Sequence, residues 1–167
     1  MIFVNVSDYI IETLEDYTDH IFTIAGGGSI FLCDALARAK RMKYVACHHE
    51  QAAGYAAEAY ARIKGFGVCL VTSGPGGTNA VSAVASCWLD SVPVLFISGQ
   101  AFLSQTIKHH PGLRQMGVQE INIIDIVRPI TKYAVMVEYA SQIEKNLNRA
   151  ITKAMTDRKG PSWLDIP

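Results

Sequence analysis

The stretch GVCLVTSGPGGTNA at residues 67–80 carries the pattern on which the predicted fold rests. Residues 67–72 form a short apolar run without polar alternation, which is typical of a strand covered on both faces. A glycine-rich turn follows, and the chain then enters a helical stretch at residues 78–89. This order of strand, turn and helix predicts one βα unit of a parallel sheet.

The same alternation extends along the whole chain. Strand-like runs rich in Val, Ile, Phe and Tyr lie at residues 21–25, 44–48, 67–72, 93–98, 132–137 and 162–166. Helical stretches lie at residues 8–18, 30–40, 51–64, 78–89 and 141–157. We therefore predict an α/β fold, a single three-layer domain over residues 1–167, with a six-stranded, mostly parallel sheet and helices on both faces. The helix at 30–40 is predicted to turn Phe31, Ala35 and Leu36 inward, and residues 101–117 to form a functional or mobile loop.

Composition excludes several classes of protein. Half of the 167 residues are hydrophobic, 18% are charged and the formal net charge is zero, so no electrostatic case exists for nucleic acid or an anionic membrane. The charge-free run at 65–88 contains Gly-Pro-Gly-Gly, which argues against a membrane span, and the first eight residues lack the basic region of a signal peptide. The four cysteines form no C-x-x-C pair, so we expect free, mostly buried thiols and a cytoplasmic location.

Four polar or glycine-rich clusters follow the first four predicted strands. They lie at residues 26–29, 48–51, 73–79 and 98–100. Because ligands of open parallel sheets bind beyond the carboxyl ends of the strands, we expect these clusters to share one edge of the sheet and to form a binding site there.

Each cluster also has a simpler explanation. The three glycines at 26–28 fit a tight turn, and the glycine turn at 74–77 could cradle a phosphate or let a flat ring approach the backbone. A nucleotide-binding module is therefore one alternative, although the turn lacks the lysine of a nucleoside-triphosphate loop. His48 and His49 could be metal ligands, but adjacent residues point in different directions and no third ligand has suitable spacing, so no metal site is predicted.

Glu50 is the strongest single candidate for chemistry. It stands where an apolar strand becomes a helix, and the small residues Ala53, Gly54 and Ala57 follow it. A partly desolvated carboxyl group at this position could share a proton with a basic ring nitrogen near neutral pH. The alternative is a first-turn glutamate that only complements the helix dipole.

Longer runs resemble a known family. The segments HEQAAGYAAEAYAR (49–62), TSGPGGTN (72–79), DSVP (90–93) and ISGQ (97–100) are similar to the N-terminal pyrimidine-binding domain of thiamine-diphosphate-dependent enzymes. Acetolactate synthase, pyruvate oxidase, benzoylformate decarboxylase and glyoxylate carboligase belong to this family. The resemblance covers essentially the whole chain and is closest to acetolactate synthase-like proteins.

The resemblance implies roles for particular residues. The glutamate that matches Glu50 hydrogen-bonds N1′ of the aminopyrimidine and so promotes loss of the thiazolium C2 proton, after which the cofactor serves as an electron sink for a 2-keto acid such as pyruvate. Gln119 matches an active-site glutamine, so Glu50 and Gln119 are the expected catalytic residues. Further positions match residues around the pyrimidine and are expected to bind the cofactor: Gly26, Gly27, Pro75, Gly76 and Asn79.

The family also implies a missing partner. Its members bind the diphosphate and Mg²⁺ through a second domain that carries Gly-Asp-Gly, and this tripeptide does not occur here. We expect half of a thiamine-diphosphate site, completed by a diphosphate-binding domain of the same or another subunit in a homo- or hetero-oligomer. The chain would then be a fragment or one subunit of a split enzyme. FAD on other domains stays an alternative that this sequence does not support.

Some segments depart from the acetolactate synthase pattern. Ile24-Ala25 precede the glycines where those enzymes usually have Tyr-Pro. Residues 113–120 and 129–134 look closer to acetolactate synthase-like proteins of polysaccharide and unusual-sugar biosynthesis. Two alternatives therefore stand beside the leading hypothesis, a carboligase or decarboxylase of such a pathway and a non-catalytic interaction subunit that kept the fold.

Overall fold

The computed structural model describes residues 5–167. Residues 1–4, which belong to the predicted domain and to the segment inspected for a signal peptide, lie outside it. The described residues form one sheet of six strands, all parallel, with helices on both faces. The predicted α/β three-layer class is therefore confirmed.

The strands lie close to their predicted positions. Within the described residues they are β1 (His20–Thr23), β2 (Lys43–Ala46), β3 (Gly67–Val71), β4 (Val94–Gly99), β5 (Tyr133–Met136) and β6 (Ser162–Ile166). The α-helices are α1 (Val6–Leu14), α2 (Ile30–Arg38), α3 (Glu50–Lys64), α4 (Pro75–Leu89), α5 (Ile123–Val127) and α6 (Ile143–Met155). Short 3₁₀ turns occur between them, including Gly27–Ser29, Leu103–Gln105 and Ile107–His109.

The strand order is β2-β1-β3-β4-β6-β5. From β1 the chain moves outward to β2, and from β2 it returns past β1 to β3. The connections leaving β1 and β3 therefore cross opposite faces of the sheet, which opens a crevice between the carboxyl ends of these two strands. Open α/β sheets bind ligands at such a switch point.

Two hydrophobic cores hold the three layers together. On one face, α1, α2 and α6 pack against the sheet through residues such as Leu14, Leu36 and Leu147. On the other face, α3, α4 and α5 pack against Phe96 and Trp163, whose rings stack with centroids 5.4 Å apart. Strands β3 and β4 are buried throughout, as the lack of polar alternation predicted.

One prediction of detail was wrong, and two features were not predicted. Leu32, Ala35 and Leu36 face the core from α2, whereas Phe31 is 67% exposed, because the i, i+3, i+4 stripe of this helix begins one residue later than predicted. Strand β2 is exposed along its whole length because it is the outer edge of the sheet. Helix α5 was not predicted, since its five residues are too few to show helical periodicity.

Two further features concern the state of the cysteines and the apolar character of the helices. All four cysteines are free; Cys69 and Cys87 are buried, whereas Cys33 and Cys47 are only half-buried. Among residues 5–167, no helix has both the length and the apolar character needed to cross a bilayer.

Helices α3 and α4 approach each other closely at Gly54. A Cβ atom on Gly54 would lie 2.5 Å from the Ala83 Cβ and 3.3 Å from the Phe96 ring. Farther along, Glu58 is buried and accepts hydrogen bonds from Arg62 at 2.5 Å and from Ser86 of α4 at 3.0 Å. The two helices are thus fixed to each other by steric contact near the site and by a polar network farther from it.

We predict that Gly54→Ala lowers the free energy of unfolding by about 1–2 kcal/mol. A contact of 2.5 Å places the overpacking cost in the upper part of its usual range of about 1–3 kcal/mol, and the gain of about 1 kcal/mol in helix propensity offsets part of it. Urea unfolding measures the difference. The control is Ala59→Leu, an enlargement on the exposed side of the same helix, which should change stability by less than about 0.5 kcal/mol. A Gly54→Ala variant as stable as the parent would show that the helices have room for a methyl group.

Candidate cofactor-binding site

The carboxyl ends of β1 and β3 meet at Thr72, a residue not singled out among the predicted site residues. Thr72 Oγ1 accepts the backbone N–H of Gly28 at 3.1 Å, which ties the turn after β1 to the end of β3. A Cβ atom on Gly26 would lie 2.5 Å from the Thr72 Cβ, so Gly26 is a position of close packing. The glycine turn is therefore held at the switch point by a hydroxyl group and by the absence of a side chain.

Glu50 opens α3 at the same edge and is half-buried. Its Oε2 accepts a hydrogen bond of 2.9 Å from Asn79 Nδ2 of α4. Its other oxygen, Oε1, accepts no hydrogen bond from residues 5–167 and lies 3.6 Å from the point where Gly76 would carry a Cβ. The glutamate thus has one oxygen fixed by an amide and one oxygen without a hydrogen bond beside Gly76, whose missing side chain leaves room for the methyl group of Thr72.

His49, considered above as a possible metal ligand, has a structural role instead. His49 is the N-cap of α3, and its Nδ1 accepts the backbone N–H of Gln51 at 3.1 Å. Across residues 5–167, no group of three or more His, Cys, Asp and Glu side chains is placed to hold a metal ion.

Gln119 lies on the other side of the turn after β3. Its backbone has a φ of 56°, which is unusual for a residue other than glycine. Gly74, with a φ of 55°, packs against it, and a Cβ on Gly74 would lie 2.0 Å from the carbonyl oxygen of Gln119. Only glycine satisfies both the left-handed backbone and this approach. The glycine run after β3 therefore serves to bring the Gln119 loop against the site.

A cleft of about 900 Å³ opens beside these residues. Gly27, Ser73, Gln100 and Gln119 line it, so turns after β1, β3 and β4 all contribute, as predicted from the shared edge. Its rim includes three exposed apolar side chains: Phe31, which was predicted to face the core, and Phe102 and Val118, which were not predicted as site residues. Segment 101–117, predicted as a functional or mobile loop, supplies part of this wall.

The predicted cofactor residues divide into two neighbouring groups. Glu50, Gly76 and Asn79 lie together, and Gly26 joins them through Thr72, whereas Gly27 and Gln119 line the cleft. Pro75 is exposed at the first turn of α4. All of them lie at the carboxyl edge of the sheet, but the cleft does not include Glu50 among its lining residues.

Asp165, which was not predicted, forms a buried polar cluster behind the cleft with Ser98 and Gln100 of the predicted cluster 98–100. Asp165 of β6 is fully buried and accepts hydrogen bonds from the Ser98 hydroxyl at 2.6 Å and from Gln100 Nε2 at 3.0 Å. Trp163 Nε1 donates to Ser98 Oγ at 2.8 Å. Burial, with a further contribution from the negative charge of Glu120, raises the pKa of Asp165 to about 7, although its two hydrogen bonds act in the opposite direction. An acid within the apolar run Trp-Leu-Asp-Ile was the available signal.

Fold and site together define a parallel α/β domain with a glutamate carboxylate beside the switch point, the place where open α/β sheets bind ligands. Residues 4–125 match the family model described as "Thiamine pyrophosphate enzyme, N-terminal TPP binding domain". The chain therefore belongs to this family.

Relatives narrow the resemblance to acetolactate synthases. The chain is 41% identical to an acetolactate synthase of Arthrospira platensis over 152 residues, which are 89% of this chain and 25% of that protein. It is 39% identical to the acetolactate synthase large subunit of Corynebacterium glutamicum (95% and 24% covered) and 35% identical to the isozyme 1 large subunit of Escherichia coli (96% and 28%). The chain thus spans about a quarter of the length of the curated relatives it matches.

Asp165 should make stability depend on pH. The folded state retains its proton up to about pH 7, whereas an ordinary aspartate releases its proton near pH 3.8. The folded state therefore binds more protons in this window, and the free energy of unfolding should fall as the pH rises from about 4 to 7, by at most about 1.4 kcal/mol per pH unit. Urea unfolding of the parent and of Asp165→Asn at several pH values isolates this contribution. A difference between the two that is constant from pH 4.5 to 7.5 would contradict the assignment.

Proposed function

We propose that this chain supplies the pyrimidine-binding half of a thiamine-diphosphate-dependent enzyme of the acetolactate synthase type, acting on a 2-keto acid such as pyruvate. The observation that carries the proposal is the carboxylate of Glu50, which has one oxygen held by Asn79 and the other free beside Gly76. Family membership and acetolactate synthase relatives support the choice of cofactor and reaction class.

The residues present fit an aminopyrimidine ring. A basic ring nitrogen needs a carboxyl oxygen that can exchange a proton with it, and Glu50 Oε1, which accepts no hydrogen bond from residues 5–167, offers one. Gly26, Gly27 and Pro75 would border the ring, and Asn79 would hold the glutamate in its orientation. When bound, thiamine diphosphate supplies the electron sink that decarboxylation of a 2-keto acid requires.

Each residue of the chain then has a distinct task. Glu50 would hold and release the proton at the pyrimidine nitrogen through Oε1, while the hydrogen bond from Asn79 to Oε2 orients the carboxylate. Gln119, exposed at the cleft, would hydrogen-bond the substrate. The apolar rim of Phe31, Phe102 and Val118 would exclude water from that substrate.

The proposal includes a partner domain over this face. Glu50 is only half-buried and Asn79 is exposed, so a drier pocket requires cover from another domain or subunit. The outer surfaces of α3 and α4 carry exposed apolar side chains, among them Ile63 at 82% and Leu89 at 72% exposure, which suit a protein contact. The sequence lacks the Gly-Asp-Gly motif that holds the diphosphate and Mg²⁺ in this family.

We therefore predict that the isolated chain binds thiamine diphosphate weakly or not at all, with or without Mg²⁺. Titration calorimetry of the 167-residue chain tests this. Addition of a diphosphate-binding domain that carries Gly-Asp-Gly should restore binding. Tight, magnesium-dependent binding by this chain alone would refute the half-site.

Glu50→Gln should separate proton exchange from cofactor placement in the complete enzyme. A glutamine still hydrogen-bonds the ring nitrogen but cannot exchange a proton with it, so exchange of the thiazolium C2 proton should slow roughly a hundredfold to ten-thousandfold. The rate is measured by NMR in deuterated water with the cofactor at saturation.

Two variants control this measurement. Glu12→Gln makes the same change on the exposed side of α1 and should leave the exchange rate at the parental value. Asn79→Ala should mainly raise the cofactor concentration needed for half-saturation, because it loosens Glu50 without removing its carboxyl group. If Glu50→Gln exchanges the C2 proton at the parental rate, Glu50 only complements the dipole of its helix. That result would favour a non-catalytic subunit that kept the fold.

A further inference from the structure

The loop that carries Gln119 is tied to the sheet through Gln100, a buried residue that follows β4. Gln100 Nε2 donates to the backbone carbonyl oxygen of Ile121 at 3.0 Å and to Asp165 Oδ2 at 3.0 Å. Gln100 Oε1 accepts the backbone N–H of Ala101 at 2.9 Å. Both nitrogen hydrogens and the oxygen of this amide are therefore in use, which fixes the direction in which the amide faces.

Asp165 determines this direction because its Oδ2 accepts a hydrogen bond from Gln100, and above about pH 7, where the carboxyl group is ionised, neither of its oxygens donates. Its Oδ2 takes the Gln100 hydrogen, and its Oδ1 takes the hydroxyl hydrogen of Ser98. Trp163 Nε1 donates to Ser98 Oγ, which leaves that hydroxyl hydrogen free for Asp165. An asparagine could accept on one side only and would present a second donor to either Ser98 or Gln100.

The loop itself has few other anchors near Gln119. Gly117 donates its N–H to the carbonyl oxygen of Gln105 at 2.8 Å, and Glu120 Oε1 accepts the N–H of Ile107 at 3.2 Å. Both bonds join the loop to segment 101–117 rather than to the sheet. Glu120 Oε2 is buried and has no partner among residues 5–167. A turn closed by the Glu120 N–H on the Gly117 carbonyl oxygen at 3.2 Å accommodates the Gln119 backbone at φ 56°. The Gln100 contact with Ile121 and the packing of Gly74 then hold this turn against the sheet.

We propose that Asp165 and Gln100 are positioning residues for Gln119: the Asp165 carboxylate orients the Gln100 amide, and that amide fixes Ile121 and so holds the backbone of Gln119 at the cleft. The inference rests on the proposed role of Gln119 in the site, and it assigns a purpose to an acid that no step of the proposed chemistry uses. Neither residue needs to contact substrate for this role.

The test is amide hydrogen exchange by NMR on the 167-residue chain without cofactor. The variants are Asp165→Asn and Gln100→Met, which removes the hydrogen bonds and keeps a similar volume. Loss of one net hydrogen bond should accelerate exchange at the loop amides of Gly117, Glu120 and Ile123 about threefold to tenfold. Amides of the central strands, such as Cys69 and Ile97, should exchange at the parental rate once any change in the global free energy of unfolding is subtracted.

Ser98→Ala is the matched control. It removes a hydroxyl from the same buried cluster but leaves the contacts of Gln100 with Asp165 and Ile121 in place. Its loop amides should exchange at the parental rate. Equal acceleration in Ser98→Ala, or parental exchange in Gln100→Met, would overturn the proposal.

If Asp165→Asn does not fold, Gln100→Met still tests the proposal, because Gln100→Met changes no buried charge. The exchange experiment contains no thiamine diphosphate, so its result is independent of the cofactor proposal. Slow C2 exchange in the parental enzyme would count against the function, whereas unchanged loop exchange in the variants would count only against this positioning role.

Discussion

The site depends on one constraint, the close approach of backbone turns at the carboxyl ends of β1 and β3. The parallel register brings these two ends side by side, and Thr72 closes the gap by accepting the N–H of Gly28. Side chains at Gly26 or Gly76 would occupy the space that Thr72 fills. The positions of the glutamate, its asparagine partner and the cleft all follow from this contact, because each lies on a turn or helix that leaves this edge.

The electrostatics of the site divide between two carboxyl groups in unlike surroundings. Glu50 is half-buried, bonded to a single amide and open on its other side, which suits a group that exchanges protons with a ligand. Asp165 is fully buried and bonded on both oxygens, with its pKa raised to about 7 by burial. Because Asp165 is not exposed, a ligand cannot reach it, and its role is structural. Environment, more than residue type, separates the two functions.

Much of this architecture could be predicted from the sequence, and particular residues show why the remainder could not. Buried parallel strands such as β3 are continuous apolar runs, and the glycine turn after it has few explanations, so fold class and sheet edge were predicted correctly. Ala35 and Leu36 face the core as predicted, but the facing of Phe31 was wrong, because Leu32 is the residue that lies three and four positions before them on the buried stripe. Thr72, Gln100 and Asp165 act through contacts between residues distant in the chain, and no local pattern shows such contacts.

The packing of α3 on α4 has a mechanical consequence. Glu50 lies at the start of α3 and Asn79 in the first turns of α4, and behind them Gly54 against Ala83, then Glu58 with Ser86, leave no room for sliding. The two helices therefore behave as one rigid body. A force applied to the outer surface of the pair is therefore shared by both helices, and the distance between the Glu50 carboxylate and the Asn79 amide stays constant.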